Sequence, residues 1–279
     1  MELNTSIRKQ TKTRLALEGP AGSGKTYSAL LLAYGLCQDW SKIALIDTEQ
    51  DSASLYSQLG PFGTIGLGAP YHPTRFYDAI DLCDISGKEV IIVDSLSLEW
   101  IGDGGMVDKL SGKHYQDALR AHRALLCALR YTEAHIICTL RTKRKLVHSK
   151  QEGKWRLLMA EIPLQQEGIE YIFDTALRLD HQHLAHVVKD RTGMFTGKPA
   201  ASITTETGQL LHSWCLDGEL EVPDDLQIKI DNCTSVAELH LLLSREDVDV
   251  ELIQAFTRRR LELEGIDAPQ LHSLRGGLL

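Results

Sequence analysis

No apolar run in the chain of 279 residues approaches the roughly 18–20 needed to cross a bilayer. The richest stretch, Ala29 to Cys37, is short and broken by Gly35. The opening Met-Glu-Leu-Asn lacks the basic-then-apolar order of an export leader. These absences predict a cytoplasmic chain with no membrane partner. The six cysteines (37, 83, 127, 138, 215, 233) form no Cys-x-x-Cys pair, so they read as reduced core thiols rather than a disulfide frame or zinc site. The eleven histidines show no His-Glu-x-x-His and no paired ligand spacing, although His181, His183 and His186 cluster at a predicted hairpin. No repeat with a period of about 20–50 residues is present. An overall positive charge is also missing. The net charge is −8, and the whole excess lies in residues 216–279, with 14 acids against 6 bases. Any nucleic-acid site must therefore be a local patch.

What is present is an ordinary globular composition, 43% hydrophobic and 24% charged, at a length for one large domain with a small appendage. From residue 13 to about 190 short apolar runs alternate with helical patterns. Arg14–Glu18, Lys42–Asp47, Glu89–Asp94 and Ala134–Thr139 read as four buried strands. Lys25–Gln38, Thr74–Cys83 and His114–Arg130 read as helices. Strands apolar on both faces and separated by helices imply a mostly parallel sheet covered on both sides, an α/β fold. Ala176–Asp180 and His183–Lys189 read as a strand pair. The boundaries expected are a core at 1–215, an acidic linker at 216–221 and a small acidic helical domain at 222–279. In the last, Ser235-Val-Ala-Glu238 has capping-box spacing.

Gly19, Pro20, Ala21, Gly22, Ser23, Gly24, Lys25 and Thr26 match G-x-x-x-x-G-K-[ST] between a predicted strand and a predicted helix, the context of a P-loop. Tyr27 follows directly. Glycines let consecutive backbone N–H groups turn inward around a phosphate, and the helix N-terminus adds positive potential. Lys25 can reach the β- and γ-phosphates of ATP, and the Thr26 hydroxyl can ligate Mg²⁺. Asp94 ends the run Val90-Ile-Ile-Val-Asp94, which places a second Mg²⁺ carboxylate at the carboxyl edge of the sheet. Glu49 lies just past the strand after the P-loop helix, where an acid can polarise an attacking water.

Ile46-Asp47-Thr48-Glu49 resembles the stretch that carries the catalytic glutamate of RecA-like ATPases. The ordered set of Gly19–Thr26, Ile46–Glu49 and Val90–Ser97 is similar to the stand-alone, phage-type recombinase cores, AAA-type ATPases linked to single-strand annealing. The likeness spans roughly residues 13–195. It implies a RecA-like core, ATP hydrolysis with Mg²⁺ in a bacterial or phage-infected cytoplasm, and self-association into a ring or filament. Lys189 and Arg191 of Val187-Val-Lys-Asp-Arg191 match a Lys-x-Arg element that reaches the γ-phosphate bound by a neighbouring subunit. Strand alternation puts both on one face. The loop after the fourth strand faces single-stranded DNA in such proteins. Here Arg141, Lys143, Arg144, Lys145, Lys150, Lys154 and Arg156 are the cations of that stretch, and Trp155 is a base-stacking aromatic. A solvated basic loop is the alternative. Thr139 is placed to sense the γ-phosphate. Trp100-Ile-Gly-Asp-Gly-Gly105 falls at the family's other DNA-facing loop, or is a plain connection.

The sequence thus reads as a DNA-dependent ATPase. Two alternatives remain: a P-loop phosphotransferase on a small molecule, with 141–156 as its lid, and a nucleotide switch recruiting a protein partner through the acidic C-terminal segment. A ring helicase is a variant of the first reading.

Overall fold

The computed structural model describes residues 8, 10–110, 115–151 and 154–217, and beyond them only 232–236, 238, 239, 259, 260 and 263. The side chains at 147–151, 154 and 156 are outside that description, as are most of the acidic linker and the expected C-terminal helices. The chain divides into two units, Gln10–Gly218 and a second made of Met1–Lys9 with Glu219–Leu279. In the second unit, Glu238 N–H donates to Ser235 Oγ at 3.3 Å, and the Glu238 carboxylate accepts from Thr234 N–H at 2.8 Å.

In the larger unit the elements follow as β1 (Arg14–Gly19), α1 (Lys25–Cys37), β2 (Ile43–Asp47), β3 (Gly63–Gly66), α2 (Pro73–Ile85), β4 (Val90–Asp94), α3 (Ser97–Ile101), α4 (Met106–Lys109), α5 (Tyr115–Tyr131), β5 (His135–Gln151), β6 (Lys154–Pro163), β7 (Thr175–Leu179), β8 (Leu184–Asp190), β9 (Ala201–Ser202) and α6 (Thr205–Leu216). The sheet order is β3-β2-β4-β5-β1-β7-β8-β9, parallel from β3 to β7 and antiparallel at β8 and β9. Every residue of β1, β2 and β4 is buried. Alternate side chains divide between two cores. Ala44, Ile46, Ile91 and Val93 face Phe76, Ile80, Leu125 and Leu129. Ile43, Leu45, Val90 and Ile92 share the other core with Leu30, Leu36 and Leu211. Burying each large aliphatic side chain contributes about 1.5–3 kcal/mol, which explains the double-sided apolar pattern.

The structure adds to or corrects the sequence reading at four places. Gly63–Gly66 is an extra strand, too short and glycine-rich to announce itself, so the Glu89–Asp94 run is the fourth strand in chain order and not the third. Helix α6 covers one face. Gly102, Gly104 and Gly105 form a packed connection. A Cβ on Gly102 would lie 2.5 Å from the Tyr71 ring, and one on Gly104 2.6 Å from Pro70. Tyr71 N–H also donates to the Asp103 carbonyl at 2.8 Å. The largest correction is the stretch 141–156, which is no loop. β5 runs on past the sheet and pairs with β6 from Thr142↔Pro163 to Gln151↔Lys154, a two-stranded antiparallel ribbon. Consecutive cations at 143–145 and consecutive apolar residues at 157–160 hide the two-residue period of a strand from the sequence.

Helix α6 approaches α1 closely. A Cβ on Gly35 would lie 2.2 Å from the Thr205 carbonyl oxygen and 2.7 Å from Gly208 Cα. Gly35→Ala is expected to lower stability by about 1–3 kcal/mol through overpacking. Thermal denaturation checks this; an unchanged midpoint would contradict the contact.

Candidate nucleotide-binding active site

β1 delivers Gly19 to the carboxyl edge of the sheet, and residues 20–24 turn back into α1. Gly22 and Gly24 have φ of 75° and 85°, a left-handed conformation that side-chain-bearing residues rarely adopt. His183, in the turn between β7 and β8, stacks close to this loop, its Nδ1 3.0 Å from where a Cβ on Gly24 would stand. Lys25 Nζ lies over the loop and donates to the carbonyls of Gly19 at 3.0 Å and Pro20 at 2.8 Å. Burial lowers its pKa, with Asp94 and Glu49 opposing and Arg141 adding to the shift.

Asp94 is 2% exposed. The Thr26 hydroxyl donates to its Oδ2 at 2.6 Å, and the Thr139 hydroxyl donates to Oδ1. Thr139 therefore holds the carboxylate in place, rather than pointing toward a phosphate as expected. Burial raises the Asp94 pKa despite the bonds from Thr139 and Thr26.

The register Asp47↔Asp94 brings the ends of β2 and β4 side by side. Thr48 sews them together: its N–H donates to the Asp94 carbonyl at 2.8 Å and its Oγ1 accepts from Ser95 N–H at 2.8 Å. Asp47 then organises the turn by accepting from the N–H groups of Glu49 at 2.6 Å and Ala53 at 2.8 Å. Glu49 is thus held at the same sheet edge as Lys25 and Asp94. Its Oε1 accepts from Arg141 Nε at 3.0 Å and Nη2 at 2.6 Å.

Arg141 was read as a nucleic-acid cation, and the structure sets it in the nucleotide site. Tyr56 is a second residue that the sequence did not single out. Its ring centroid is 6.2 Å from that of Tyr27, and its pKa is raised by burial and by the nearby Asp94 and Glu49. The place of Tyr56 in the turn after Glu49 was the only available signal.

Lys189 and Arg191 stand apart from this edge. Lys189 is level with Ala176, which is level with Ala16, three residues back from Gly19 or roughly 10 Å along the strand. Lys189 Nζ donates to the Glu170 carbonyl at 2.7 Å and lies 5.7 Å from the Tyr171 ring centroid. Arg191 pairs loosely with Asp174 at 3.9 Å, beside a cavity of about 540 Å³ also lined by Lys12, Arg14 and Arg130. The Asp190 side chain between them turns to its own loop. Partial burial acts against its ionisation, but bonds from the Thr192 side chain and the Phe195 and Thr196 N–H groups bring its pKa to about 2.

On the ribbon, Lys143 and Lys145 share one face. Arg144, Leu146, Trp155, Leu157 and Met159 share the other, where Arg144 pairs with Glu161 at 3.4 Å. Leu146, Trp155, Leu157 and Met159 are all exposed. The side chains of Lys150, Lys154 and Arg156 lie outside the described residues. At the root of the ribbon, buried Glu99 accepts from His122 at 2.7 Å and from Gln165 at 3.2 Å, and His122 also meets Gln166. This network ties α3 and α5 to the foot of β6. His186 pairs with Asp180 at 2.7 Å, and among the described residues no group of three His, Cys, Asp or Glu side chains is placed to hold a metal ion. Nor is any described helix long and apolar enough to cross a membrane.

A family described as AAA domain matches residues 11–206, more than half the chain. The chain belongs to the AAA domain family. The match covers the P-loop and every site residue described above, and the AAA domain here is a P-loop ATPase domain of α/β architecture. Among solved structures, a KaiC-like protein from the hyperthermophilic archaeon Pyrococcus horikoshii is similar, with a TM-score of 0.39 and 16% identity, over 64% of this chain and 79% of that chain. No curated protein matches the chain.

The raised pKa of Asp94 has a definite sign. The folded AAA domain binds this proton more tightly than the unfolded chain, so its contribution to stability is full below about pH 4 and is lost as the pH rises through the folded-state value. Asp94→Asn is therefore expected to raise stability at neutral pH, without nucleotide, by about 1 kcal/mol. It should also abolish stabilisation by ATP with Mg²⁺. Thermal melts with and without Mg²⁺ and nucleotide check both halves.

Proposed function

We propose that this chain hydrolyses ATP and couples hydrolysis to single-stranded DNA, acting in recombination or strand annealing. The observation that carries the reading is the meeting of Lys25, Thr26, Asp94 and Glu49 at one sheet edge. In this reading Lys25 leaves the Gly19 and Pro20 carbonyls for the β- and γ-phosphates. The Thr26 hydroxyl and Asp94 carboxylate are the hard oxygen donors that Mg²⁺ takes. Bound there, the ion would neutralise charge on the phosphate oxygens. Tyr27 and Tyr56 wall the site. Glu49 takes the proton of a water whose oxygen bonds to the γ-phosphorus, while the bond from that phosphorus to the β–γ bridging oxygen breaks. ADP and inorganic phosphate are the products.

Lys189 and Arg191 lie too far back along the sheet to serve the P-loop of their own chain, which supports a role toward the nucleotide of a second copy in a ring or filament. There they would stabilise charge as the phosphate leaves. The cations Lys12 and Arg130 beside Arg191 favour an anion at this place. The ribbon supports the DNA reading. Lys143 and Lys145 suit phosphates, and exposed Trp155 suits a stacked base. The acidic composition of residues 216–279 suits a basic protein partner.

ATP turnover should rise about tenfold or more with single-stranded DNA at low salt, and the gain should fade as salt is added. No response to DNA at any salt would remove the DNA role. Glu49→Gln should cut turnover by at least about 100-fold while ATP binding persists. Mixing two inactive variants, Lys25→Ala and the double variant Lys189→Ala with Arg191→Ala, should restore part of the activity, because mixed interfaces of one orientation pair the intact P-loop of the double variant with the intact Lys189 and Arg191 of the Lys25→Ala chain. Failure to recover any activity would rule out a shared site.

A further inference from the structure

Arg141 joins the nucleotide site to the ribbon. Its backbone is pinned on both sides: its N–H donates to Ser97 Oγ at 2.9 Å, and its carbonyl accepts from Leu164 N–H at 2.7 Å. Gly19 of the P-loop strand is its register partner. Only the side chain has freedom to move. Both of its bonds to Glu49 converge on one carboxylate oxygen. The two side chains are 39% and 34% exposed, so water screens the pair and holds it weakly. Burial lowers the Lys25 pKa, and the guanidinium acts electrostatically on that lysine in the same direction.

While the guanidinium holds it, the Glu49 carboxylate is tied to Arg141 and is not free to turn to a water at a terminal phosphate. A terminal phosphate carries more charge than a carboxylate and matches the planar fork of an arginine. We propose that Arg141 exchanges partners, passing from the Glu49 carboxylate to the terminal phosphate of a bound nucleoside triphosphate, and so selects triphosphate over diphosphate. A diphosphate offers nothing at that position, and the guanidinium stays on Glu49. One side chain thereby performs two tasks: it reads the third phosphate and frees the general base only when that phosphate is present. Because Arg141 is the last residue before the ribbon begins, the exchange takes place at the ribbon's root. The selection of triphosphate rests on the reading that the Lys25 loop holds a triphosphate; the freeing of Glu49 rests also on its role as general base, and neither rests on DNA.

The test is calorimetric binding of a non-hydrolysable ATP analogue and of ADP, each with Mg²⁺, to the full chain. Four proteins are compared: the natural chain, Glu49→Gln, Arg141→Ala and the double variant. Arg141→Ala should weaken the analogue about tenfold and leave ADP unchanged. Glu49→Gln should tighten the analogue about threefold, since the guanidinium no longer has to leave a partner, again without effect on ADP. In the double variant that tightening should vanish. Arg141→Gln replaces the alanine variant if the latter does not fold. Equal weakening of both nucleotides by Arg141→Ala would overturn the proposal. So would a Glu49→Gln gain of the same size with and without Arg141, which is what simple relief of charge repulsion gives. If the natural chain binds neither nucleotide, the P-loop reading fails and the exchange fails with it. If it binds both but never hydrolyses ATP, the ATPase reading and the freeing of a general base fail, and the selection of triphosphate stands or falls on the binding comparison alone.

Discussion

The parallel register that sets β1, β2, β4 and β5 level along one edge is the constraint on which the site depends. Gly19 stands beside Arg141, and Asp47 beside Asp94. Four strands therefore deliver the Gly19–Thr26 loop, Asp94, Glu49 and Arg141 to the same edge. None of these groups is adjacent in the sequence. Parallel pairing keeps every strand pointing the same way, and helices on both faces keep the strands dry. The polar groups at the edge are then free to be chemical rather than structural.

Much of this edge was readable in advance because its parts obey strong local rules. A glycine-rich turn between a buried strand and a helix has few other uses, and four apolar residues ending in Asp94, too short for a helix, fit a buried strand. The double-sided apolar pattern of Ile43–Asp47 and Val90–Asp94 likewise fixed a parallel sheet. Three features resisted. β3, with sequence Gly-Thr-Ile-Gly, has too little apolar area to stand out, and it exists because β2 offers it an edge to pair with. Glycines 102, 104 and 105 read as a DNA-facing loop or a plain connection, and they are crowded by Tyr71, by Pro70 and by the carbonyls of Glu99 and Gly102 in turn. Thr139 was expected to face the phosphate, but its hydroxyl belongs to Asp94. Such contacts depend on residues distant in the sequence, where no spacing rule reaches.

Arg141 shows the same limit most clearly. In a run of seven cations it looked like one more basic residue. Its position in β5 separates it from them: it is the last residue level with the P-loop strand, and those after it belong to the ribbon. The ribbon itself was hidden because charge dominates its composition. Only the register reveals the alternation of faces, with exposed Leu146, Leu157 and Met159 on one surface and Lys143 and Lys145 on the other.

That alternation restricts how the ribbon can change over evolutionary time. Each residue added to one strand near the root would turn every later side chain to the opposite surface, moving the lysines to where the leucines lie. The root is closed by Leu164 N–H on the Arg141 carbonyl and by the Thr142↔Pro163 pair. Length is therefore free to vary only toward the tip, in steps that add a residue to both strands at once. Relatives with longer or shorter ribbons should differ in matched pairs around residues 151–154, while the distance from Arg141 to Leu164 along the two strands changes by even numbers.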